Sequence, residues 1–297
     1  MNLIDGKKAA AYFSDELAAK VLKFKGKTAV TPHLAAILVG QSGPSETYVA
    51  AKMEACHKIG FLSSLIRFDS SISEEDLIAK IKLMNADNDL HGFIVQLPLP
   101  AHISVESVIE SIDPEKDVDG FHPINLGRMA KGQKAFASAT PWGIIKLLKH
   151  YNIETEGKHV VVLGRSQIVG LPISLLLSRN SNPGNATVTI CHSKTKDLKN
   201  ITLQADILVA ALGIPEFVKS DMVKEGVIVI DVGISRIIDE TKKSGFRLVG
   251  DVDFKSVGPK CAAITPVPGG VGPMTIIALM ENTLMAAQNQ WEASKKN

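Results

Sequence analysis

HVVVLGRSQIVGLP, residues 159–172, is the stretch whose reading decides the fold. Residues 159–163 are short, apolar and rich in valine, which fits a strand buried on both faces. Gly164 ends that strand, and Pro172 falls in the first turn of the helix pattern that follows. A strand, a glycine turn and a helix N-terminus make a site for a pyrophosphate, because backbone N–H groups and the helix dipole face the anion. The match to G-x-G-x-x-G is imperfect: Ser166 stands at the middle glycine and the spacing is stretched to Gly170. A turn between strand and helix needs glycine in any case, so the surroundings must carry the rest.

The next strand, expected at Thr187–Cys191, ends in Cys191-His192-Ser193-Lys194-Thr195 with no acid to take ribose hydroxyls. A missing carboxylate together with Arg165, Ser193 and Lys194 suits a 2′-phosphate, hence NADP rather than NAD. Further strands are expected at 206–212 and 227–232, each followed by a glycine, Gly213 and Gly233, where a nicotinamide ring could approach closely. On the N-terminal side, helices are expected at 7–25 and from Pro44 to about Ile59, with strands at 34–39, 61–68 and 92–97. Ser73 and Asp76 resemble a capping pair between the last two. The stretch 113–134 reads as loop plus a short helix, Trp142–Tyr151 as a helix bridging two halves, and Met274–Gln290 as a final helix. Alternating strands and helices imply an α/β fold with a mostly parallel sheet, in two domains with a cleft between them.

Composition agrees with an ordinary globular protein rather than a disordered chain. The 297 residues include 33 basic and 31 acidic ones, a net charge of +2, with 45% hydrophobic and 5% aromatic residues. No basic run or aromatic platform offers a footprint for nucleic acid. The longest apolar stretch, 207–214, is far too short to cross a bilayer. Three cysteines, Cys56, Cys191 and Cys261, are widely spaced and form neither a disulfide framework nor a metal-ligand pattern. The opening MNLIDGKKAAAYFSDEL builds no apolar core of a secretory signal, so a soluble, cytoplasmic protein without bound metal is expected.

Chemistry gathers in the first half. Tyr48 and Lys52 lie one helical turn apart on the same face. Gln96 closes an apolar strand at the end where open α/β sheets collect ligands. The segment Pro114-Glu115-Lys116-Asp117-Val118-Asp119-Gly120 offers carboxylates in a tight turn. Residues 265–275, TPVPGGVGPMT, hold three glycines and three prolines and must follow a specific backbone path into the last helix.

PSETYVAAK (44–52), VQLPLP (95–100), PEKDVDGF (114–121), VVLGRSQIVGLP (161–172), TVTICHSKT (187–195), VIDVGI (229–234), VGDV (249–252) and TPVPGGVGPMT occur in one order along the chain. Together they closely resemble the bifunctional methylenetetrahydrofolate dehydrogenase/methenyltetrahydrofolate cyclohydrolase family. The resemblance implies NADP-linked oxidation of 5,10-methylenetetrahydrofolate to the methenyl cation and hydrolysis to 10-formyltetrahydrofolate, in a homodimer. It implies a folate-binding catalytic domain at 1–138, completed by a C-terminal helix at 275–297, and a Rossmann-like NADP-binding domain at 139–274. Lys52, Gln96 and Asp119 then resemble the catalytic set, with Gln96 positioning the lysine and Asp119 anchoring the pterin. Tyr48, Val95, Leu97, Pro268, Gly269, Gly270, Val271 and Gly272 complete the folate side; Gly164, Arg165, Ser166, Ser193, Ile234 and Thr275 resemble the NADP contacts. One departure is visible: Ser138-Ala139 stand where the family usually has Pro-Cys.

The residue chemistry is consistent with that assignment. A carboxylate such as Asp119 can accept from the adjacent amino group and ring N–H of a pterin. Hydride transfer needs positioning rather than a protein base, whereas hydrolysis needs a group that moves protons. Burial and a cationic methenyl substrate both disfavour a second positive charge, which makes a lysine amine serviceable as a base. A different NADP-linked dehydrogenase, acting on a shikimate-like or amino-acid substrate, would account for the Gly164–Gly170 turn but not for Tyr48, Lys52, Gln96 and Asp119 together.

Overall fold

In the computed structural model the described residues are 1–242 and 245–295, with Pro44 described by its backbone alone. They cluster into two compact units. The chain opens with a two-residue strand, β1 (Asn2–Leu3), and a long helix, α1 (Gly6–Thr28), whose last turn carries Lys25 and Lys27 where the dipole favours cations.

One unit takes Ala11–Ala139 and the chain from Ile276 onward. Its sheet is parallel, in the order β3-β2-β4, built from β2 (His33–Val39), β3 (Leu62–Phe68) and β4 (Gly92–Val95). β2 is buried almost throughout, as a central parallel strand must be. Between β2 and β3 runs α2 (Gly43–Ile59), which stops at Gly60 in the left-handed region (φ 85°), with the Gly60 N–H on the carbonyls of Cys56 and His57. Then α3 (Glu74–Ala86) buries Leu77, Ile81 and Met84 against β2 and Phe93. The Ser73 hydroxyl caps α3 by accepting from the Asp76 N–H at 3.0 Å, as expected. The Asp76 carboxylate takes the Ser73 hydroxyl proton at 2.8 Å rather than the Ser73 N–H. Two short helices follow, α4 (Val105–Ser111) and α5 (Pro123–Ala130).

The other unit takes Met1–Ala10 and Thr140–Thr275. It follows α6 (Ala139–His150) with β5 (His159–Leu163), α7 (Gly170–Ser178), β6 (Thr187–Cys191), α8 (Leu198–Thr202), β7 (Ile207–Ala210) and β8 (Val227–Asp231). A hairpin of β9 (Ser235–Ile238) and β10 (Phe246–Val249) precedes α9 (Phe254–Val257), β11 (Cys261–Ile264) and the final helix, α10 (Val271–Ser294). Beside that hairpin, the unit's main sheet has six strands, all parallel, in the order β1-β11-β8-β7-β5-β6.

Three features differ from the sequence reading. The first ten residues cluster with the nucleotide-type unit rather than with the first half, because Asn2 and Leu3 pair with Ala263 and Ile264 of β11. A two-residue edge strand has no periodicity to betray it. The β9–β10 hairpin was also not expected, since its alternation is short and its turn is not a two-residue loop. Thirdly, α10 begins at Val271, so Val271 and Gly272 belong to its first turn rather than to the preceding loop.

Each of the two parallel sheets reverses its strand order once. β3 and β4 flank β2, and β6 and β7 flank β5. The space beyond the C-terminal ends of strands at such a reversal is where open α/β sheets bind ligands. Both groups of candidate residues lie there: α2 leaves β2 and Gln96 leaves β4, while Gly164 leaves β5.

Candidate active site

In the first unit Gln96 continues the sheet by one bond, its N–H on the Ile37 carbonyl at 2.9 Å. Its side-chain amide donates to the Leu97 carbonyl at 2.8 Å. That bond settles which way the amide points, so Oε1 is left to accept from Lys52 Nζ at 3.1 Å. Lys52 is buried, and among the described residues Gln96 is the hydrogen-bond partner of its side-chain nitrogen. Asp119 completes the group. Burial pushes its carboxyl above the ordinary range, and the nearby Lys52 charge pulls the other way. Asp119 shares a small pocket with Val95, Leu97, Phe93 and Phe121. Tyr48 stands exposed one turn before Lys52 on α2.

The Asp119 turn is held from four sides. Asp117, buried beneath it, accepts from the N–H groups of Phe121 at 3.3 Å and His122 at 2.8 Å, and from Asn125 Nδ2 at 3.0 Å. Desolvation pushes the Asp117 carboxyl up to about 7, against the pull of those hydrogen bonds. Gly120 adopts φ 70°, and a Cβ there would sit 2.6 Å from the Ala137 carbonyl carbon. The Ser138 hydroxyl donates to the Gly120 carbonyl at 2.9 Å. From α10, buried Asn282 donates to the carbonyls of Val118 at 2.8 Å and Ala137 at 2.9 Å.

In the second unit the turn after β5 is built for close approach. Gly164 has φ 114°, and a Cβ there would run into the Ala211 carbonyl. A Cβ on Gly170 would strike the Gly164 carbonyl, so the helix start packs directly on the strand end, the third-glycine role of a dinucleotide fold. The N–H groups expected to be free at the helix start are partly taken. Those of Val169 and Gly170 donate to Ser166 Oγ at 3.2 and 3.3 Å, and that of Leu171 to the Ser166 carbonyl at 3.0 Å. The N–H groups of Arg165, Ser166, Gln167 and Ile168 find no acceptor among the described residues. Four adjacent open donors beside an exposed arginine fit an anionic phosphate chain.

β6 ends in a tight turn: the Thr195 N–H donates to the His192 carbonyl at 2.8 Å, leaving Ser193 and Lys194 exposed. Ile234 is exposed after β8. Thr275 Oγ1 lies 3.1 Å from Thr140 Oγ1. Of the segment 268–272, Pro268 and Gly272 are exposed while Gly270 and Val271 are buried. The structure thus brings Lys52, Gln96 and Asp119 together in one unit, and places Gly164–Ser166, Ser193, Ile234, Pro268–Gly272 and Thr275 in the other. Gly233 has a different duty from the one expected: a Cβ there would collide with the Asp251 carboxyl, so a side chain rather than a ligand demands its smallness.

Two family models match the chain. The catalytic domain of tetrahydrofolate dehydrogenase/cyclohydrolase matches residues 4–119, and its NAD(P)-binding domain matches residues 138–291. The chain belongs to the tetrahydrofolate dehydrogenase/cyclohydrolase family. "Bifunctional protein FolD" of Phocaeicola vulgatus is 60% identical, over 97% of this chain and 98% of its own length. The bifunctional FolD enzyme of Campylobacter jejuni, a methylenetetrahydrofolate dehydrogenase/cyclohydrolase, has a crystal structure with a TM-score of 0.90 and 48% identity, covering 97% of this chain and 99% of that one. A Trypanosoma brucei methylenetetrahydrofolate dehydrogenase-cyclohydrolase, complexed with NADP cofactor and inhibitor, superposes with a TM-score of 0.91 at 36% identity, covering 99% and 98%. As a family member the chain is a bifunctional, NADP-dependent enzyme, oxidoreductase and hydrolase both.

Family membership gives the Ser138-Ala139 departure its setting. Ser138 is buried and spends its hydroxyl on the turn that presents Asp119, a bond no proline side chain could make. Asp117, Asn125 and Asn282 escaped sequence reasoning. A signal for Asp117 was present in the paired acids of KDVDG, whereas Asn282 lies mid-helix, 164 residues from its partner Val118. Asp231 and Asp251, buried at the sheet end of the other unit, also went unread; burial pushes Asp231 up to about 7, and the Asp251 charge adds to that. Among the described residues no group of His, Cys, Asp and Glu could hold a metal ion, and no helix is long and apolar enough to cross a membrane.

Proposed function

We propose that this chain oxidises 5,10-methylenetetrahydrofolate with NADP and hydrolyses the resulting 5,10-methenyl cation to 10-formyltetrahydrofolate, with Lys52 as the group that moves protons. The observation that carries this reading is the buried Lys52 amine held at 3.1 Å on Gln96 Oε1 beside the Asp119 carboxyl. Gln96 can only accept from the amine at that oxygen, so it fixes where the amine lone pair or proton is presented. Asp119 accepts from the paired donors of the pterin, and a ligand with two N–H groups favours its ionised form. Exposed Tyr48 supplies an aromatic face for the ring system.

When bound, NADP supplies the hydride acceptor of the first reaction. The open amides of Arg165–Ile168 take its pyrophosphate, and Arg165 and Ser193 take the 2′-phosphate, while Ile234 and Thr275 line the remainder. Pro268–Gly272 serve the folate. In the second reaction Lys52 removes a proton from water as the water oxygen bonds to the methenyl carbon. Lys52 then returns a proton to one ring nitrogen as its bond to that carbon breaks. The second water proton leaves to solvent as the formyl C=O forms on the other nitrogen. The protein works as a homodimer in the cytoplasm on this reading, and sedimentation at micromolar concentration tests the first point.

The deciding experiment is a spectrophotometric assay with methylenetetrahydrofolate and either NADP or NAD. Reduced cofactor and methenyl product absorb separately, so both steps are followed in one trace. Formation of both with NADP, and much slower formation with NAD, is the expected outcome. Flat traces with either nucleotide contradict the proposal.

A further inference from the structure

Two buried acids at the C-terminal end of the six-stranded sheet take no part in the chemistry above. Asp231 closes β8, and Asp251 follows β10 by two residues. Asp231 Oδ1 accepts from the N–H of Gly233 at 3.1 Å and of Asp251 at 2.9 Å, and its Oδ2 from Val252 at 3.0 Å. Its own N–H is held by Thr265 Oγ1 at 2.7 Å. Asp251 Oδ2 accepts from two successive amides beyond β7, Leu212 at 2.5 Å and Gly213 at 2.9 Å, while its Oδ1 is buried with no partner among the described residues. The backbone yields to both side chains: a Cβ on Gly250 would strike the Asp231 carboxyl, and one on Gly233 the Asp251 carboxyl.

Three segments, 212–213, 233–234 and 250–252, are therefore tied by two carboxyls. The sheet does not need them, because β7–β8 and β8–β11 are already joined by their own ladders. An orphaned oxygen and two close acids in a dry interior are costly, and such costs persist where they hold a working geometry. Two of the tied segments leave β7 and β8 at the end where a parallel sheet meets its ligand, and the one after β8 carries exposed Ile234. We propose that Asp251, braced by Asp231, is a positioning residue for the nicotinamide nucleotide: it sets the backbone at Leu212–Gly213 and Gly233–Ile234 against which the cofactor rests, without touching it. This rests on the NADP reading above.

The test separates the two activities, since hydrolysis of methenyltetrahydrofolate needs no nucleotide. Asp251→Ala removes the acceptor, and the expected result is a KM for NADP raised at least tenfold with cyclohydrolase kcat within twofold of wild type. Asp251→Asn keeps one acceptor oxygen for the two amides and removes a charge, so its KM for NADP should return to within threefold. Asp231→Asn places a donor against backbone N–H groups and should show the same split as Asp251→Ala. An unchanged KM for NADP in Asp251→Ala overturns the proposal. Equal loss of both activities does so too, as does insolubility of both Asp251→Ala and Asp231→Asn, which would make the pair a condition of folding. A wild-type protein that hydrolyses the methenyl compound but ignores NADP refutes the underlying cofactor reading instead.

Discussion

Among the described residues Lys52 has one hydrogen-bond partner for its amine, Gln96, and the strength of the site lies in how that partner is itself held. Gln96 cannot turn its amide without losing the bond to Leu97, so Gln96→Leu should lower cyclohydrolase kcat at least tenfold while the KM for NADP stays within twofold, measured by the two assays in parallel. The cysteines give a contrasting expectation. Burial pushes the thiols of Cys56 and Cys261 up to about 12 and about 11, and raises that of Cys191. A thiol in that state is a poor nucleophile. Iodoacetamide at pH 8 should leave all three unlabelled in the native enzyme by mass spectrometry, with activity intact; stoichiometric labelling of Cys56 would show that the helix opens. At this scale the sequence was legible where spacing decides, as for Tyr48 one turn before Lys52 on α2. It was opaque where a residue acts through another, as Asp117 and Asn282 do, because a buried acid or amide reads as polar surface until its partners are known.

Secondary elements carry the Asp119 turn and the sheet ends. α10 reaches the turn through Asn282, whose Nδ2 satisfies two carbonyls at once. Asn282→Ala should cost about 1–3 kcal/mol of stability and raise the KM for folate more than that for NADP. Equal KM values to wild type would show that the turn holds without its strap. At the opposite end of the same sheet His91 Nδ1 accepts from the His33 N–H at 3.1 Å, joining β2 to the entry of β4. Burial, aided by the charges of His33 and Lys116, lowers the His91 pKa below its ordinary value. The folded state then favours the neutral ring, so this stabilisation is present above the unfolded value of about 6.5 and is lost as pH falls through the lower folded one. His91→Asn, which keeps an acceptor but cannot titrate, should flatten the fall of Tm on the acid side of pH 6.5. Most strands and helices were legible from apolar runs and glycine stops, β5 and β6 to the residue. The β9–β10 hairpin and β1 were not, since neither has enough length for a pattern to repeat.

Over the whole molecule one chain buries acids and a histidine whose neutral forms the fold favours. Asp117 in one unit and Asp231 in the other are both pushed up to about 7, chiefly by desolvation. A carboxyl with a raised folded pKa stabilises the fold below its unfolded value near 3.8 and loses that contribution as pH rises towards 7. Unfolding in urea at pH 5.5, in weak buffer, should therefore release protons overall, the aspartates outweighing the uptake by His91; net uptake would place both acids as ionised in the fold. Membership of a two-reaction family was legible from eight stretches in order, whereas the buried polar groups Asp117, Asn282, Asp231 and Asp251 meet their partners only once the chain has folded. Kinetics of Lys52→Met with methenyltetrahydrofolate test most directly whether Lys52 carries the proton. Proton transfer by a placed side chain contributes roughly a hundredfold or more, so hydrolysis should fall by at least about that factor while the substrate Kd stays within a few-fold. Hydrolysis at near wild-type rate in that variant would contradict the account.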